Sequence, residues 1–102
     1  MDIFQKKVDQ WFKKQGWQYW PPLEILARLV EEVGEFARLT NHVYGSKKKK
    51  TSEQEQDFED EIGDIMHTLI CFANSHNLNL QRAIKKSIDK VTTRDKDRYK
   101  KK

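Results

Sequence analysis

One short acidic pattern occurs twice in this chain, and it restricts the fold more than any other feature. Glu31-Glu32-Val33-Gly34-Glu35-Phe36 is repeated in chemical type, position for position, by Asp60-Glu61-Ile62-Gly63-Asp64-Ile65 at an offset of 29 residues. Apolar positions downstream keep the offset, Ala37 with Met66 and Val43 with Phe72. At about 100° per residue, the period of an α-helix, each copy acquires one apolar face. With Glu32 at zero, Ile25, Leu26, Leu29, Val33, Phe36, Ala37 and Val43 fill an arc from roughly 20° to 140°, and Leu39 falls at about 340°. With Glu61 at zero, Phe58, Ile62, Ile65, Met66, Leu69, Phe72 and Ala73 fill the same arc. Glu35 and Asp64 each lie at about 300° on their wheels. Two helices are expected, each with a carboxylate at the margin of its core face and another a turn away.

If those faces meet, four carboxylates converge at the rim of a bundle. Partly desolvated like charges repel strongly, and a bound cation removes the conflict. Ligands that are all oxygen favour a hard ion, Mg²⁺ or Mn²⁺. A lone E-x-x-E is an ordinary solvated helix pattern; two copies in the same relation to an apolar face are not. Gly34 and Gly63 occupy the same place in both copies, although a mid-helix glycine costs about 1 kcal/mol relative to alanine. Close helix approach or ligand access would explain them.

The rest of the chain supplies two more helices and no alternating strand pattern. A first helix is expected from residue 2 to about 14, with Ile3, Phe4, Val8, Trp11 and Phe12 on one side and Gly16 ending it. Residues 17–22 form an aromatic-rich connection that its prolines keep out of a helix. The second helix starts near Pro22, where proline is tolerated, and runs to about Tyr44 before Gly45. Residues 45–52 read as a basic loop. Ser52 and Glu55 have capping-box spacing, so a third helix is expected from there to residue 75 or 76. A short turn over 77–79 follows. Asn79 can cap a fourth helix that continues to about Tyr99, with Leu78 placed to staple against Ala83. The expectation is an all-α, four-helix arrangement in one domain, residues 1–102.

Composition bears on how such a bundle is stabilised. Among 102 residues, 36% are hydrophobic and 35% charged, a thin core for so short a chain. Association with another copy would complete the apolar faces. The net charge of +4 comes largely from Lys47 to Lys50 and Lys100 to Lys102, runs that usually mark solvated loops and tails. A single cysteine, Cys71, excludes an intramolecular disulfide. No segment reads as a signal peptide or approaches the roughly 20 apolar residues of a membrane span, so a cytoplasmic location is expected.

Glu31-Glu32-x-x-Glu35, 25 residues, then Glu61-x-x-Asp64 resembles the E-E-x-x-E … E-x-x-D signature of the MazG-like nucleotide pyrophosphohydrolases, an all-α NTP pyrophosphatase family. The stretches LARLVEEVGEFAR, EIGDIMHTLICFAN and KVTTRDKDRY resemble its short, single-domain, YpjD-type branch. The likeness covers roughly residues 23 to 99. It implies hydrolysis of a nucleoside triphosphate to the monophosphate and pyrophosphate, with Mg²⁺ as cofactor and clearance of unwanted nucleotides as the role. It implies that Glu32, Glu35, Glu61 and Asp64 hold the metal, with Glu31 in a supporting role. It places Lys90 and Arg94, with Arg98 assisting, near phosphates, and it implies a homodimer or homotetramer. Lys90 and Arg94 are four apart, so they share one helical face and can meet the same anion.

Other candidates are set beside these. Trp11, Trp17, Tyr19 and Trp20 can stack a base or build core; His42 and Tyr44 are further base-pocket candidates; Lys47 to Lys50, Lys48 among them, can cover a triphosphate. Asp64-x-x-His67 invites a di-iron reading, but Arg38 stands where the first copy would need a histidine. The competing function is a nucleotide-binding regulatory protein with little turnover. A nucleic-acid binder, needing no Mg²⁺, is not expected, nor is a membrane partner.

Overall fold

A computed structural model describes residues 2–45 and 58–95. Four helices are present among them: α1 (Ile3–Gln15), α2 (Pro22–Tyr44), α3 (Phe58–Ser75) and α4 (Leu80–Arg94), with no strand. Asp2 and Gln5 form a capping box at the start of α1. Gly16, at φ 71°, closes α1 in the left-handed region, and the Trp17 N–H reaches back to the Phe12 carbonyl. Pro22 opens α2. Asn77 takes the left-handed conformation after α3, and the Leu78 N–H returns to the Ala73 carbonyl. The Asn79 side chain caps α4 by accepting from the Arg82 N–H at 2.9 Å.

Two expected boundaries are affected. The Ser52 cap lies outside the described residues. Helix α4 is described to Arg94, after which Asp95 is buried outside helical geometry, its carboxylate accepting from Arg94 Nε and Nη2 at 3.1 Å each; the expected end near Tyr99 also lies outside the described residues.

The principal packing is α2 on α3, with α1 laid on α3. The Phe58 ring, at the start of α3, stands against Phe36 and Tyr44 in the later half of α2, so the two helices run antiparallel. The buried line of α2 is Ile25, Glu32 and Leu39, seven residues apart. This corrects the expected wheel. Glu32 sits on the centre line of the packed face, not at its margin, and Glu61 holds the corresponding place on α3 with Thr68 buried one heptad later. Much of the far half of each apolar arc faces outward: Leu26 and Val33 on α2, Ile62 and Met66 on α3 are all exposed, although Ala73 is buried. Gly34 and Gly63 also face open space, so close approach within one chain does not explain them.

A polar network fastens the other end. Gln5 is fully buried; its Nε2 donates to Asn74 Oδ1 at 3.0 Å and to the Leu78 carbonyl at 2.8 Å, and its Oε1 accepts from the Leu80 N–H at 2.9 Å. Asn74 Nδ2 donates to the Gln5 carbonyl at 3.0 Å and to the Tyr19 hydroxyl at 2.9 Å, and that hydroxyl donates to Asp9 Oδ1 at 2.9 Å. These bonds join α1, the α1–α2 connection, the end of α3 and the start of α4. Burial, with Asp9 receiving the proton, pushes the Tyr19 hydroxyl up to about 12, so it remains a neutral donor.

Candidate metal centre

Antiparallel packing through the Glu32 and Glu61 lines brings the two acidic patterns together. Glu32, Glu35, Glu61 and Asp64 each offer a carboxylate oxygen, and these oxygens all lie within 4.8 Å of one another. Glu61 is 1% exposed and Glu32 5%, whereas Glu35 and Asp64 reach solvent. The site therefore has a buried floor and an open rim.

Two atoms distinguish it from an ordinary acidic surface. Glu32 Oε2 and Glu61 Oε2 are buried without a hydrogen-bond partner. Buried acceptors are nearly always satisfied, and an ionised one left alone is costly. Burial, and then the charges of Glu35, Asp64, Glu32 and Asp60, holds the Glu61 carboxyl above the usual carboxylate range. An all-oxygen set of this kind suits a hard divalent cation, so the residues present fit a metal.

A cleft of about 810 Å³ adjoins the carboxylates. Its lining includes Glu32, Asp64 and Arg28, the aromatic residues Phe12, Trp17, Tyr19 and Trp20, and His67, Thr68 and Cys71 of α3. Tyr19 is stacked on Phe12 at 4.3 Å between centroids, and Trp11 stands edge-on to Trp17 outside the cleft. Burial pushes the Cys71 thiol up, which keeps it protonated.

The structure sorts the remaining sequence candidates. Glu31 is exposed and is not one of the four converging acids. His42 is half-buried and Tyr44 is stacked on Phe58; neither lines the cleft. Lys90 and Arg94 do not line it either, and Arg94 is occupied by Asp95. Lys48 and Arg98 lie outside the described residues. Sequence reasoning missed Arg28, whose Nε donates to Glu32 Oε1 at 2.8 Å. The signal was the i,i+4 spacing of opposite charges.

Comparison with known proteins places the chain among relatives of the same fold. The sequence model of the MazG nucleotide pyrophosphohydrolase domain matches residues 21–99. YpjD of Bacillus subtilis (strain 168) is 43% identical over 99 residues, spanning 97% of this chain and 89% of YpjD. The YPJD crystal structure from that organism superposes with a TM-score of 0.78 at 41% identity, covering 93% of this chain and 95% of that one. A crystal structure described as the Bacillus-conserved MazG protein, a nucleotide pyrophosphohydrolase, gives a TM-score of 0.71 at 41% identity, covering 92% and 90%.

Proposed function

Because the chain belongs to the MazG nucleotide pyrophosphohydrolase domain family, we propose that it hydrolyses nucleoside triphosphates to the monophosphate and pyrophosphate with Mg²⁺, clearing unwanted nucleotides from the pool. The observation that carries the metal-dependent part is the pair of buried, unpartnered oxygens of Glu32 and Glu61 inside a quartet of acids.

Glu32, Glu35, Glu61 and Asp64 would hold the cation. When bound, such an ion neutralises phosphate charge and polarises the bond under attack. Water adds at the α-phosphorus and gives up a proton to solvent, the bond to the α–β bridging oxygen breaks, and that oxygen leaves with pyrophosphate. Of the quartet, Glu32 and Asp64 line the cleft, so phosphates lying in it would meet a cation held there. Trp17 and Trp20 offer flat faces for a base, and the cleft is within the size range of small-molecule pockets. No helix among the described residues is long and apolar enough to cross a membrane, which accords with action on free nucleotides in the cytoplasm.

The exposed apolar residues of α2 and α3, with Ile84, Ile88 and Val91 along one side of α4, support assembly as a homodimer or homotetramer. Lys90 and Arg94 reach no carboxylate of their own chain's site, and a neighbouring copy offers them a place to meet phosphate.

A panel of nucleoside triphosphates, assayed with and without Mg²⁺, tests the reading. Monophosphate and pyrophosphate are expected only with the metal, and Glu61→Gln should lower kcat by at least about a hundredfold. Tight nucleotide binding without monophosphate would instead identify a regulatory binding protein.

A further inference from the structure

The two oxygens of Glu32 are in different states. Oε1 accepts from Arg28, while Oε2 is buried and unpartnered. Arg28 lies one turn earlier on α2, its side chain is 51% exposed against 7% for Glu32, and it lines the same cleft as Glu32, Asp64, Trp17 and Trp20. A phosphate chain bound to a metal on the quartet and lying in this cleft would have the guanidinium bonded to Glu32 as a neighbour.

We propose that Arg28 is an exchangeable counter-ion: it neutralises Glu32 in the metal-free site and moves to the phosphates when cation and nucleotide are bound together. The inference deepens the pyrophosphohydrolase reading and rests on it. Without a cation, four carboxylates repel one another, and Arg28 is the cation bonded to them among the described residues. A divalent ion on Glu32 removes that attraction and repels the guanidinium at short range. The pair being left is a weak one, i,i+4 with a half-exposed partner. The triphosphate that arrives is the better partner, since arginine can bind phosphate oxygens in a bidentate manner. Arg28 thereby opposes the metal when the nucleotide is absent and favours the nucleotide when the metal is present.

Those two roles predict effects of opposite sign, which a merely structural arginine would not give. Mn²⁺ binding to the nucleotide-free protein would be measured by calorimetry for wild type, Arg28→Gln and Arg28→Lys. Binding of uncleavable α,β-methylene nucleoside triphosphates would then be measured at saturating Mn²⁺. Arg28→Gln is expected to bind Mn²⁺ alone about fivefold or more tightly than wild type. It should bind the methylene triphosphate about tenfold or more weakly. Arg28→Lys should keep Mn²⁺ affinity near wild type and recover part of the nucleotide affinity. Loss of both affinities in Arg28→Gln would show Arg28 to be a prop for Glu32 and overturn the exchange; so would the absence of either change. Failure of the wild type to bind Mn²⁺ would bring down the pyrophosphohydrolase reading itself, and the exchange with it.

Discussion

At the scale of the residue, Glu61 is the one carboxyl among the described residues that its surroundings hold above its ordinary value. It is buried, one of its oxygens has no partner, and its carboxyl is held above the ordinary value of 4.5. A raised carboxyl takes up a proton more readily in the folded state than in the unfolded one. Its stabilising contribution is therefore full below about the unfolded value and is lost as pH rises through the folded one. In chelator, the melting temperature of wild type relative to Glu61→Gln should fall as pH is raised from 4.5 to 7, and excess Mg²⁺ should reverse the fall. Parallel pH profiles for the two proteins would show that Glu61 carries no such shift. The four acids were legible in the sequence because a repeat of the same chemistry at a helical period names both the residues and the face they share. Their burial was misjudged. The wheel centred each core on the apolar residues alone, whereas the packed line runs through Ile25, Glu32 and Leu39. The cleft was legible only as an aromatic-rich connection, since its walls come from residues as far apart as Phe12 and Cys71.

At the scale of the element, local chemistry set most helix ends. Gly16, Pro22, the turn at Asn77 and the Asn79 cap each act within a few residues, so the sequence showed them. The Gln5–Asn74–Tyr19 network was not visible, because polar residues on amphipathic helices ordinarily read as surface and its partners are up to 75 residues apart. Asn74→Ala leaves the Gln5 amide and carbonyl and the Tyr19 hydroxyl short of partners, and should cost about 3 kcal/mol in denaturant unfolding. A loss below about 1 kcal/mol would mean that water replaces it. Gly34→Ala should have the opposite sign. Nothing lies within 4 Å of the added Cβ, so α2 should gain up to about 1 kcal/mol. Destabilisation of the assembled protein would instead mark Gly34 as a contact with another copy.

At the scale of the whole molecule, the single chain leaves much apolar surface uncovered. Leu26 and Val33 on α2, Ile62 and Met66 on α3, and Ile84 and Ile88 on α4 are all at least 44% exposed, more than a monomer of this size ordinarily displays in contiguous patches. Sedimentation should give a multiple of 12.2 kDa, and Leu26→Asp should shift the protein toward the single-chain mass; a wild-type monomer would contradict the proposed assembly. The lean composition pointed to the thin core that the four buried hydrophobic residues show, but how copies would meet depends on surfaces that periodicity alone cannot match to one another. What unites the three scales is the quartet: a repeat writes it, antiparallel packing of α2 and α3 assembles it, and burial leaves two of its oxygens without partners. Calorimetric titration of Mn²⁺ into wild type and Glu61→Gln, without nucleotide, tests that claim most directly. Saturable binding by the wild type, weakened about tenfold or more by the substitution, is the predicted result; equal heats from both proteins would show that the four acids hold no cation.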